Sequence, residues 1–174
     1  MNKELWKKAV ECHGHECPGL AIGYKVCEAA IKKLNIKFSM DEDIVCVTEN
    51  DACGVDAVQV ILGCSFGKGN LIYKGTGKHA FSFFNRTTGE SVRIVLKPSS
   101  REMDRETRKT YLLNASIEEL FDFKTPQFPL PERAKNFTTV QCESCGEGAP
   151  EHKIRLMGGK KVCLDCFQDY SREL

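Results

Sequence analysis

The stretch His13-Gly14-His15-Glu16-Cys17-Pro18-Gly19 decides how the rest of the chain is read. Three metal-ligand residue types stand at alternate positions. In an extended segment, side chains at i, i+2 and i+4 point to one side, so His13, His15 and Cys17 are expected to face one point. Pro18 brings a preset φ suited to the first position of a helix. Leu20, Tyr24, Cys27, Ile31 and Leu34 then recur at helical spacing. Cys17 is therefore expected at a helix N-terminus, where the positive end of the dipole favours a thiolate. A thiolate beside imidazoles reads as a metal site or a reactive centre, whereas Cys27, on the apolar stripe, reads as core.

Downstream, Ile44-Val45-Cys46-Val47-Thr48 reads as a strand buried on both faces. A helix follows from near Cys53 to Gly63, and Cys53 and Asp56 share one side of its first turn. Asp56 either complements the dipole or takes part in function. Cys64-Ser65-Phe66-Gly67-Lys68-Gly69-Asn70 resembles a phosphate loop, but the glycine spacing is one short and no Ser or Thr follows Lys68. It reads as a glycine-rich turn, with Lys68 the candidate for holding an anionic group. Residues 71–73, 79–84 and 92–96 read as strands on short turns, which predicts an antiparallel meander. Residues 100–113 interleave both charge signs at helical spacing, as in Arg101–Asp104 and Asp104–Arg108. Ser116 with Glu119 forms a capping box, opening a helix whose apolar side is Leu120, Phe121 and Phe123.

Lys124-Thr125-Pro126-Gln127-Phe128-Pro129-Leu130-Pro131 is the one clear linker. It divides a metal-binding α+β core (1–125) from a small C-terminal domain (138–174), with 126–137 between them. In that domain Cys142 and Cys145 form one Cys-x-x-Cys knuckle, and Cys163 and Cys166 form a second after seventeen intervening residues. Two such knuckles bring four thiolates onto one tetrahedral ion, a closed and structural zinc site. So few apolar residues cannot fold the segment by burial, and the metal must supply the free energy. Residues 162–170 suggest a strand entering a short helix that carries the second knuckle, the order of a treble clef.

The chain has 174 residues, a formal net charge of +1 and ten cysteines. Near-neutral charge disfavours nucleic acid or an anionic membrane as the main partner. Lys153, Arg155, Lys160, Lys161 and Arg172 of the finger are outnumbered by its six carboxylates, so a protein contact is preferred there. No apolar leader segment and no stretch long enough to span a bilayer is visible, so the cysteines read as cytoplasmic thiols.

His13–Gly19, then Cys53-Gly54-Val55-Asp56-Ala57-Val58-Gln59, then Gly63-Cys64-Ser65-Phe66-Gly67-Lys68-Gly69-Asn70-Leu71, together resemble the FmdE family, the E-subunit family of formylmethanofuran dehydrogenase, over about residues 1–125. The resemblance implies a thioredoxin-like α+β core with a mixed sheet flanked by helices. It implies that the His/Cys stretch and the Cys53 helix start converge on a cleft that holds zinc. It also implies molybdenum or tungsten oxidoreductase subunits as candidate partners. His15, Cys17 and Cys53 then give three ligands and leave a fourth position open, with His13 and Cys64 as alternates. Asp56 would orient a ligand or move a proton, and Cys17, Cys53 and Asp56 are the candidate reactive groups. The function expected is a metal-binding accessory or enzyme-like subunit with a labile core zinc (Zn2+) and a structural zinc in the finger. The alternative is a metal- or metabolite-sensing regulator or adaptor whose finger contacts a partner. A homodimer is expected, with the charged helix and the finger as contact surfaces.

Overall fold

Two helices flank the His/Cys stretch in the computed structural model, which describes residues 2–99, 102–170 and 172. Helix α1 (Lys3–His13) ends where Gly14 adopts a left-handed φ of 90°, and its N–H closes on the Val10 carbonyl. Helix α2 (Pro18–Leu34) begins at Pro18, with Cys17 as N-cap. The stretch is therefore not extended. The glycine C-cap ends one helix and the proline starts the next, and only residues 14–17 turn between them.

Strand β1 (Ile44–Thr48) is buried at all five positions. It leads into α3 (Gly54–Leu62), and then to β2 (Leu71–Tyr73), β3 (Ala80–Asn85) and β4 (Ser91–Leu96). Helix α4 (Arg105–Asn114) and the single turn α5 (Ile117–Leu120) precede β5 (Phe121–Lys124). The sheet order is β2-β1-β3-β4-β5. Instead of the predicted meander, β2 lies parallel to β1, because α3 provides the crossover a parallel pair requires. Strands β3, β4 and β5 continue antiparallel from the other side of β1. The sheet is thus mixed, in an α+β unit.

Alternation along β1 sorts its side chains. Ile44 and Cys46 join the main core with Phe81, Phe83 and residues of α1, α2 and α3. Val45, Val47 and Phe84 form a second cluster, against which Ile72 and Phe128 pack. The proline-rich stretch thus covers sheet surface in this unit. Phe128 lies 5.8 Å from the Phe84 ring, and the Arg86 guanidinium donates to the Glu132 carbonyl.

Helices α2 and α3 approach through glycine. A Cβ built on Gly23 would lie 2.1 Å from the Gly54 carbonyl oxygen and 2.4 Å from its Cα. This contact brings the two helix N-termini together. Asn70, wholly buried, ties down the loop after α3. Its amide nitrogen is 2.8 Å from the Ile44 carbonyl oxygen, and its Oδ1 accepts from the Ser65 N–H at 2.9 Å.

Asp104 caps α4 by accepting from the Glu106 and Thr107 N–H groups. Ser100 and Arg101, with the predicted Arg101–Asp104 pair, lie outside the described residues. Ser116 accepts from Glu119 N–H at 3.1 Å, as the capping box predicts. The helix it opens is one turn only. Phe121 and Phe123 belong to β5, because pairing with β4 extends the chain there.

The chain separates into two compact units, Met1–Ala134 and Lys135–Leu174. The second contains two hairpins, β6 (Thr139–Gln141) with β7 (Gly148–Pro150), and β8 (Ile154–Met157) with β9 (Lys160–Cys163). The second knuckle is a turn rather than the predicted helix. Cys166 and Phe167 N–H groups both close on the Cys163 carbonyl, and no helical residue follows among those described. One turn this short has too few hydrogen bonds to propagate a helix.

Candidate metal centre and adjoining cleft

His13, Cys17 and Cys53 come from the end of α1, the N-cap of α2 and the N-cap of α3. One ligand atom from each lies within 4.8 Å of the others. His13 Nε2 is 3.7 Å from Cys17 Sγ. Its Nδ1 is 2.7 Å from Asp56 Oδ2, and Gln59 Nε2 donates to Asp56 Oδ1 at 3.3 Å. Pairing with a carboxylate places the ring proton on Nδ1 and turns the Nε2 lone pair toward the sulfur. Cys17 is buried and accepts from the Leu20 N–H at 3.3 Å. Burial, with the neighbouring Cys17 sulfur, pushes the Cys53 thiol up. Gly19 leaves room here, since a Cβ on it would lie 3.1 Å from Cys53 Cβ and 3.4 Å from its sulfur.

The other candidate residues lie elsewhere. His15 is exposed and stacks on His13 with ring centroids 4.6 Å apart, turned out of the group by the bend at Gly14. Cys64 is fully buried beside the Ile44 carbonyl, and burial pushes its thiol up to about 12. Cys27 and Cys46 are buried too, and their thiols are raised well above the usual range by desolvation. Lys68 donates to the Ser39 carbonyl at 2.7 Å, which spends its ammonium on a loop clamp.

Glu16 braces the turn, accepting from Trp6 Nε1 at 3.3 Å and from Lys109 Nζ at 2.8 Å. The loop after β1 is held as firmly. Glu49, buried, takes Arg93 through both carboxylate oxygens at 2.6 and 3.1 Å, and Thr76 as well. Arg93 holds the Glu49 carboxyl below the usual range, against the opposing effect of burial. A carboxyl depressed in the folded state stabilises fully above its unfolded pKa, and that contribution is lost as pH falls through the folded value. Glu49→Gln is therefore expected to flatten the loss of stability on acidification below about pH 4. Urea unfolding at stepped pH measures it, and an unchanged slope would remove Glu49 as a source.

Beside Cys53 and His13 lies a cleft of about 440 Å³. Thr48, Asn50 and Asp51 line it from the end of β1 and the loop beyond. Phe66 and Tyr73 line it from the loop after α3 and the end of β2. Sequence reading missed these residues. The one signal for them was their place after the carboxyl end of a parallel strand, where α/β sheets present ligands.

In the second unit, Cys142, Cys145, Cys163 and Cys166 bring their sulfurs within 4.8 Å of one another. The Cys145 and Cys163 N–H groups hold the Cys142 thiol down at about 6. The small core around them contains Cys142, Val162 and Cys163, with Ala149, Met157 and Phe167 against it.

Fold and sites together define a metal-binding α+β protein with a four-cysteine zinc finger. The chain belongs to the FmdE family, whose model, described as "FmdE, Molybdenum formylmethanofuran dehydrogenase operon", matches residues 12–122. Residues 135–172 match the prokaryotic dksA/traR C4-type zinc finger. A crystal structure of a tungsten formylmethanofuran dehydrogenase FmdE-like protein from Syntrophus aciditrophicus is 27% identical, with a TM-score of 0.65. The match covers 94% of this chain and 90% of that one. A curated relative from Archaeoglobus fulgidus, named "Probable S-adenosyl-L-methionine-binding protein", is 29% identical over 95% of this chain. The chain spans about half (53%) of that relative's length. No helix among the described residues is long and apolar enough to cross a membrane.

Proposed function

We propose that the core holds a labile zinc through His13, Cys17 and Cys53, apart from the structural zinc of the finger. The observation that carries this is the approach of three ligand atoms from three separate elements to within 4.8 Å. Two thiolates and one imidazole form a donor set used by zinc sites that keep a position open. A zinc there supplies Lewis acidity to whatever enters that position. The chain's own residues do the rest. The α2 and α3 N-termini favour the thiolates. Asp56 fixes the His13 ring, and Cys53 joins the centre to the cleft. The role we assign is that of an accessory or enzyme-like component, and the operon named for the family supports a molybdenum or tungsten oxidoreductase as its partner.

Challenge of the full-length, zinc-loaded protein with a mild chelator tests the reading. Two release classes are expected, one fast from the core and one slow from the finger. Cys17→Ser removes the fast class. Asp56→Asn keeps it but weakens metal affinity by about 10–100-fold, the usual effect of losing a carboxylate behind a histidine ligand. A single slow class in the native protein would overturn the core site.

A further inference from the structure

We propose that the cleft beside Cys53 binds a small organic cation carrying a planar aromatic ring, the ring against Phe66 and Tyr73 and the charge toward Asp51 and Asp56. This deepens the reading of the metal centre, on which it rests, by naming what the open position there meets. At about 440 Å³ the cleft falls within the range of small-molecule sites. Phe66 and Tyr73 are 64% and 49% exposed, a large aromatic surface to leave in water on one wall. Among the described residues neither ring stacks on another ring or lies beneath a cation.

The charge of the cleft has one sign. Asp51 and Asp56 line it, and among the described residues no lysine or arginine does. Nearby cations are engaged elsewhere, Lys68 on the Ser39 carbonyl, Lys74 over the Phe128 ring and Arg93 on Glu49. Asp56 is shared with His13 and Gln59, which leaves Asp51 as the carboxylate with full capacity for a ligand. A zinc neutralised by two thiolates leaves both carboxylates uncompensated. Open π faces beside uncompensated carboxylates attract a cation on both counts, and the cleft walls reduce screening by water. The same field repels a phosphate or carboxylate ligand.

Three probes of one ring separate charge from shape: 1-methylnicotinamide (cation), nicotinamide (neutral) and nicotinate (anion). Calorimetric titration of the full-length, zinc-loaded protein at low salt is expected to rank them in that order. Cation and anion should differ by about tenfold or more, the worth of a partly desolvated cation–π contact. Asp51→Asn should cut that ratio to about threefold or less, and Phe66→Ala should weaken cationic and neutral probes together. Nicotinate binding as tightly as the cation, or no binding by any probe, overturns the proposal. Zinc content measured on the same samples keeps the two readings apart. A flat ranking in protein with both zincs rejects the cleft proposal and leaves the metal centre standing. A preserved ranking in protein that never held the core zinc supports the cleft and removes the metal reading.

Discussion

Substituting Gly23 by alanine is expected to cost about 3 kcal/mol, the upper part of the range for overpacking a filled interior. The obstruction is backbone, because the new Cβ would lie 2.1 Å from the Gly54 carbonyl oxygen and 2.4 Å from its Cα. No rotamer relieves that, so α2 and α3 must separate. Cys17 and Cys53 cap these two helices, and separation draws their sulfurs apart. The variant should therefore unfold at lower urea and lose the fast-released zinc. Gly19→Ala is the milder control, since its Cβ meets the Cys53 side chain at 3.1 Å and a small shift relieves it. Gly23→Ala with native stability and native zinc would show that the helix crossing does not set the site.

The second large effect is in the finger. Replacing Cys142 and Cys145 by serine should unfold the Lys135–Leu174 unit. Its apolar core is three buried residues with a few neighbours, too little to offset the entropy of ordering the segment. Zinc binding worth roughly 10–16 kcal/mol supplies the difference in comparable fingers. Limited proteolysis checks this. Cleavage should concentrate between Gln141 and Phe167, while the Met1–Ala134 unit keeps its own unfolding transition. A finger that stays protected without its thiols would mean that the hairpins β6–β7 and β8–β9 stand by themselves.

The parts of this fold legible in the sequence were those written in local chemistry. Pro18 and Gly63 mark helix ends through their own backbone limits, and both ends fall where these residues put them. The burial of β1 on both faces and the pairing of the two knuckles followed in the same way. What escaped depended on partners distant in sequence. β2 reads as part of a hairpin until the α3 crossover is seen to carry it beside β1. Phe121 and Phe123 fit a helix until β4 pairs with them. At the metal centre, alternate spacing favoured His15, but it assumed an extended chain. Gly14 at φ 90° ends α1 immediately after His13, so His13 reaches Cys17 across the turn while His15 faces water. Cys64 looked like a ligand by residue type alone, and only the structure buries it at the Ile44 carbonyl. Asp51, Phe66 and Tyr73 carried no motif. Their common cleft exists only because the ends of β1 and β2 and the start of α3 meet at one edge of the sheet.

Zinc per chain, measured on the full-length protein and on a Cys17→Ser, Cys53→Ser double variant, tests the central claim most directly. Two zincs in the native protein and one, resistant to the mild chelator, in the variant is the predicted result. One zinc in both, or two retained without the core thiols, would contradict it.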